Sequence, residues 1–279
     1  MLAAWVALAA PALASGYDDF ARGLTANTRG HSNDAIAAFS SALKSGDLVP
    51  AQTAGAYLGR AQAYLGTGDC TAAAADLTTY ASLRPVEHDV LMLRARVRMC
   101  LGDGTGAKQD WHDFAGADPG ALDYWFFARL LWSAGLHAEA SDAMGHTFEY
   151  AKQYHQPAVG LWYAMTAERA GKRDDASFAK FLNLLDPSDW PMPILKFYLG
   201  KMTEQEVMES ADNWSAKRTA QQTCEADFYL AEWHLAHSDA AKAKPLLTHA
   251  DGICPADFTE RESVEIELKR LGQAKRGTP

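Results

Sequence analysis

The chain has 279 residues, of which 48% are hydrophobic and 22% charged, and its formal net charge is −9. That apolar content excludes a disordered chain, 21 Gly and 11 Pro are too few for a collagen-like or low-complexity one, and the acidic balance argues against nucleic acid held on a basic face. About one residue in five is Ala, the best intrinsic helix former, so an all-α chain with one or two cores is expected.

Residues 1–14 form an uncharged apolar stretch ending in Ala12-Leu13-Ala14, a small-x-small cleavage pattern ahead of Ser15. A cleaved signal peptide is expected there. The alternative, a buried first helix, meets an obstacle in Pro11, which removes a backbone donor. No Lys or Arg precedes the run and no Cys follows it, so a lipid-attachment signature is missing. The stretch is short for a membrane span, and no later segment approaches 18 consecutive apolar residues, so no stable membrane anchor is expected.

From residue 16 the chain repeats itself. Pro85 and Pro119 lie 34 residues apart, as do Ala73 and Ala107, Leu77 and Trp111, Tyr80 and Phe114, Tyr57 and Leu91, and Gly68 and Gly102. That period is the length of a tetratricopeptide (TPR) repeat, a helix–turn–helix unit with small residues where the helices cross and Gly at the turn. The register predicts five copies over 16–186. The first carries Gly23, Ala35 and Phe39, and the fourth Tyr124, Ala128, Leu131, Gly135 and Ala140. The fifth is the weakest, with Tyr163, Ala167 and Gly171. A right-handed superhelical solenoid of about six such repeats is the expected fold.

The pattern breaks over 187–223, where Pro187, Pro191 and Pro193 exclude a helix interior. A short helix is expected over 194–202, and Thr203-Glu204-Gln205-Glu206 resembles a capping box opening another. A last repeat follows over 224–256. Residues 257–271 then read as an amphipathic helix (Phe258, Val264, Ile266, Leu268) that caps the solenoid, ahead of a frayed tail to 279.

The repeat register also pairs the four cysteines. Cys224 is expected to open the first helix of the last copy and Cys254 to lie just past its second, two ends that meet in an antiparallel hairpin. Cys70 begins the second helix of copy two and Cys100 ends the helix packed against it. Disulfides 70–100 and 224–254 are predicted, against the alternative of four ordinary buried thiols, and they fit an exported, oxidising compartment.

The search for chemistry finds no G-x-S-x-G or H-E-x-x-H. Gly102-Asp103-Gly104-Thr105-Gly106 lacks the Gly-Lys of a phosphate loop and falls at a repeat turn. His234 and His237 share a helix face but lack a third ligand, so they read as a packed or partly exposed pair. No catalytic residue, metal or cofactor is expected. What remains is the concave face, at the second, fifth, ninth and twelfth positions of each first helix. There the candidates for a partner-binding groove are Met92, Arg96, Met99, Trp125, Arg129, Trp132, Leu161, Met165, Phe228 and Glu232. Aromatics and Arg are enriched at binding hot spots, and Met suits varied peptides. The competing reading packs some of these side chains inside the solenoid or under a dimer interface. A clamp for a peptide C-terminal carboxylate would need Lys and Asn on the first helices, where Phe20 and Leu24 stand instead.

Over 187–271 the segments Trp190-Pro191-Met192-Pro193, Phe197-Tyr198-Leu199-Gly200-Lys201, Cys224-Glu225-Ala226-Asp227-Phe228-Tyr229-Leu230, Cys254-Pro255, Phe258-Thr259-Glu260 and Glu267-Leu268 resemble the NlpI-like bacterial periplasmic TPR proteins. That resemblance implies a non-catalytic, homodimeric adaptor of the cell envelope. Its partners would be proteins or peptides, including cell-wall hydrolases and a periplasmic protease. Two other readings stay open: a structural homodimer whose groove is filled by its own chain, and a cryptic cell-wall enzyme.

Overall fold

A computed structural model of the chain describes residues 15–116, 120–154, 156–212 and 215–274. The expected signal peptide, Pro119 and the end of the tail lie outside the described residues. Every element among the described residues is helical, and the chain divides into two compact units, one through residue 117 and one from residue 118.

The first unit holds three helix hairpins: α1 (Gly16–Thr28) with α2 (Ser32–Ser45), α3 (Pro50–Thr67) with α4 (Cys70–Leu83), and α5 (His88–Cys100) with α6 (Gly104–Ala115). Consecutive hairpins pack through α2 on α3 and α4 on α5. The small residues expected at the crossings are fully buried, among them Ala35, Ala61, Ala73, Ala95 and Ala107. Phe39 shows why the spacing is strict. A Cβ on Gly23 would sit 2.6 Å from its ring and one on Gly59 2.4 Å, so two helices close on the same ring only because both carry Gly there.

The second unit continues with α7 (Ala121–Ser133) and α8 (His137–Tyr154), then α9 (Pro157–Ala170) and α10 (Asp175–Leu182). The Pro-rich segment carries α11 (Met192–Tyr198), with Pro193 in its first turn, and α12 (Glu204–Ser210). The capping box is formed: Glu206 N–H donates to Thr203 Oγ1 at 3.2 Å, and Thr203 N–H donates to Glu206 Oε2 at 2.7 Å. Next come α13 (Ala216–Ala236), α14 (Ala240–Ile253) and α15 (Thr259–Ala274).

Cys224 does not open its helix, as the register had it, but lies well inside α13. Residues 216–223 are polar helix formers with no apolar period, so the register could not see them. Both cysteine pairings still hold at disulfide distance, with Cα–Cα separations of 6.1 Å for Cys70–Cys100 and 5.1 Å for Cys224–Cys254.

The turn within each repeat has a common construction. Gly30, Gly68, Gly102, Gly135 and Gly171 all have positive φ. After three of these turns an Asp caps the next helix, with Asp69, Asp103 and Asp174 each accepting from a backbone N–H of the first turn. In the last repeat Ser238 occupies the left-handed position at φ 61°. Ser238→Gly is therefore expected to raise the urea midpoint of the second unit, by about 0.5–1 kcal/mol of stability, because Gly adopts αL without the Cβ clash. An unchanged or lowered midpoint would show that Ser238 is not strained.

Candidate functional site

The ten groove candidates divide between the units. Met92, Arg96 and Met99 recur at helical spacing on α5, with Arg96 exposed and the two Met half-buried. The intervening arginines turn the other way. Arg94 Nε and Arg98 Nη1 donate to Asp110 Oδ1 at 2.7 and 2.6 Å, and Asp110 is fully buried. Burial pushes the Asp110 carboxyl up, against the pull of the two guanidinium groups. One repeat earlier Arg60 grips Asp76 through two 2.8 Å hydrogen bonds. These pairs lie at the same 34-residue offset as the apolar matches, a signal present in the sequence that the apolar register passed over.

In the second unit α7 presents Leu122, Trp125, Phe126 and Arg129. Leu122 is 66% and Phe126 48% exposed. Trp125 stands edge-on to Trp162 with centroids 5.8 Å apart, and the Arg129 guanidinium lies 5.4 Å over the same Trp162 ring. Phe126 was missed in the sequence. Its signal was Tyr124-Trp125-Phe126-Phe127, since four consecutive aromatics on a helix cannot all face one side.

Five expected groove residues are not on an open surface. Trp132, Leu161, Met165, Phe228 and Glu232 are at most 1% exposed, which corrects their assignment to an open face. The reason is tertiary. α13 packs on α9, whose residues 159–162 and 164–167 are all buried, and α15 turns back over α13. Arg270 of α15 donates to the Trp132 carbonyl at 2.8 Å and stacks 5.3 Å over its ring, while Trp132 meets Trp162 and Phe228 edge-on at 5.5 and 5.9 Å. α15 therefore packs on α14 and α13 and also reaches Trp132 of α7.

A charged cluster sits beneath it. Trp132 Nε1 donates to Glu232 Oε2 at 3.3 Å, and Arg169 reaches Glu232 Oε2 at 3.6 Å and Glu267 Oε1 at 3.8 Å. Glu267 also pairs with Arg270, and His137 Nε2 lies 3.1 Å from Arg169 Nη2. Burial and the neighbouring Glu267 carboxylate push Glu232 up to about 8, while burial and the two guanidinium groups push His137 down to about 4. No hydrogen bond reaches Glu232 Oε1.

Nearer the start of α13, burial pushes Glu225, which accepts from the Trp190 indole, up to about 7. Burial likewise pushes Asp227 up to about 6, against its 2.6 Å contact with His249. His234 is buried 3.0 Å from Glu204, whereas His237 stacks on Trp233 at 3.9 Å and stays exposed. Among the described residues no group of three or more His, Cys, Asp or Glu could hold a metal ion, and no helix is long and apolar enough to cross a membrane.

Between α7 and α15 a cleft of ≈ 220 Å³ stays open, lined by Phe126, Arg129, Trp132, Trp162, Ser263 and Ile266 among others. A second hollow of ≈ 470 Å³ shares Arg129 and Glu262 with it and runs along the start of α15 past Phe258 and Arg261. The arrangement offers aromatic faces, two guanidinium groups and a rim of carboxylates. Those are recognition elements for a polypeptide segment.

No family model matches the chain. Among solved structures it is similar to a tetratricopeptide repeat protein from Parabacteroides merdae ATCC 43184, at 14% identity over 92% of this chain and 98% of that one, with a TM-score of 0.56. It also aligns with the P58(IPK) TPR domain at 16% identity, over 94% of this chain and 80% of that domain, with a TM-score of 0.26. Helix hairpins with a recurrent left-handed turn, together with the likeness to the Parabacteroides protein, show a TPR solenoid fold.

Proposed function

We propose that this chain is a non-catalytic scaffold that binds protein or peptide partners outside the cytoplasm. The observation that carries the reading is the aromatic and cationic face of α7, with Leu122, Trp125, Phe126 and Arg129 bordering an open cleft. A solvated helix has no packing reason to expose two large apolar side chains beside a Trp–Arg pair, whereas a binding face does. The accessible Met92, Arg96 and Met99 of α5 offer similar chemistry in the first unit. The two cysteine pairs at disulfide distance support an exported compartment. The resemblance of residues 187–271 to the NlpI-like proteins adds cell-wall hydrolases or a periplasmic protease as the partners to test first, and a homodimer as the assembly.

Trp125→Ala tests the reading. Crosslinking and pull-down from the native periplasm should lose about tenfold or more of partner capture with this variant, as expected for a hot-spot aromatic, while the far-ultraviolet circular dichroism is kept. Equal capture by wild type and variant would overturn the scaffold reading. Burial of Trp132 and its neighbours under the chain's own α13 and α15 favours the second reading, a structural dimer with a self-filled groove. In that case Trp125→Ala should change the sedimentation coefficient instead.

A further inference from the structure

The buried stripe of α15 has the wrong chemistry for a core helix. Positions 260, 263, 264 and 267 follow the i, i+3, i+4, i+7 spacing of one helix face, and all four are at most 6% exposed. Three of them, Glu260, Ser263 and Glu267, are polar, and Val264 is the apolar one. A helix that belongs to a core buries an apolar stripe, because removing carboxylates from water is unfavourable unless every one is fully paired. The bed below α15 is aromatic, built from Trp132, Trp162 and Phe228. α15 meets it with Arg270 over one ring, and beside Ser263 and Ile266 it leaves ≈ 220 Å³ unfilled. Its attachments to the rest of the unit include polar ones: Glu267 to Arg169, Tyr229 Oη donating to Glu260 Oε1 at 3.1 Å, and Arg270 to the Trp132 carbonyl.

We infer that α15 is a built-in occupant of a helix-binding site, and that the partner taking its place is an amphipathic helix with aliphatic side chains where α15 has Ser263 and Ile266 and carboxylates where it has Glu260 and Glu267. The inference rests on the scaffold reading and names the partner class for the face beside α7. Such a helix keeps the bonds to Tyr229 and Arg169. It adds an aliphatic group that fills the cleft against Trp162 and Phe126, a contact α15 forgoes. Its advantage over α15 is therefore apolar, on a polar frame both share.

The probe is a labelled synthetic peptide of residues 256–274 carrying Ser263→Leu, read by fluorescence anisotropy against the full chain. Glu267→Lys brings a third cation to Arg169 and Arg270 and should undock α15. The peptide should then bind this variant at least about tenfold tighter than wild type, because the wild-type site is free only in the fraction of molecules with α15 undocked. The peptide with the native Ser263 should bind more weakly than the Leu peptide.

Hydrogen exchange on the unmodified chain gives a second measurement that does not depend on the variant's folding. α15 amides should exchange about tenfold or more faster than those of α14, and faster again when the Leu peptide is added. Equal peptide affinity for both chains, or α15 exchange as slow as α14 and unmoved by peptide, overturns the inference. If partners are captured through Trp125 while α15 exchange stays unmoved, the inference alone fails. If the peptide displaces α15 but Trp125→Ala leaves capture unchanged, the scaffold reading alone fails.

Discussion

Trp132→Ala is expected to destabilise the second unit by about 4 kcal/mol, the magnitude for truncating a large buried aromatic side chain. Trp132 is 1% exposed, and its ring stands edge-on to Trp162 and Phe228 and under the Arg270 guanidinium. The substitution leaves a cavity among large rings that cannot collapse into it. It also removes the N–H that Glu232 accepts, so a buried carboxyl loses one of its few partners. Trp132→Phe separates the two effects. It refills most of the volume and should cost about 1–2 kcal/mol, chiefly for the lost hydrogen bond. Urea titration followed by far-ultraviolet circular dichroism measures both. A loss under about 1 kcal/mol for the Ala variant would mean that α13 and α15 do not close over this ring in solution.

The second large effect depends on pH. Glu232 titrates near 8 in the folded chain against an ordinary value of 4.5, so between those limits the folded state holds a proton that the unfolded state releases. Its contribution is fully present below about pH 4.5 and is lost as pH rises through about 8. Arg169 is the cation shared by Glu232 and Glu267, so Arg169→Met should destabilise by about 4 kcal/mol at pH 9, where two buried carboxylates face each other with Arg270 alone between them. At pH 6 Glu232 carries its proton and the loss should shrink to about half. The measurement is the difference in unfolding free energy between wild type and variant across that range. A difference that does not change with pH would show that Glu232 does not titrate between pH 6 and 9.

The helical repeats were legible in the sequence because their requirements are local and recur. A small residue is needed where Ala73 and Ala107 cross their neighbours, and a left-handed turn where Gly68 and Gly102 stand. The cysteine pairing followed from the same register, even though α13 begins before Cys224.

The site was legible only in part. Register says that Trp125, Arg129 and Trp132 share a side of α7, but not what lies across from it. That is decided by Arg270, 138 residues beyond Trp132, which no period links to it. The Arg94–Asp110 and Arg60–Asp76 pairs went unseen for a different reason. Their spacing repeats, but a sequence does not reveal whether a charged pair faces inward.

The two cysteine pairs join different kinds of neighbours. Cys70 and Cys100 belong to α4 and α5, which lie in successive hairpins, whereas Cys224 and Cys254 belong to the single hairpin of α13 and α14. In a repeat protein, folding behaves as a row of coupled switches, each with its own bias and a coupling to the next. The first bond strengthens a coupling and the second strengthens a bias. Reduction of Cys70–Cys100 would let the first unit unfold hairpin by hairpin, broadening its transition. Reduction of Cys224–Cys254 would lower one transition and leave its sharpness intact.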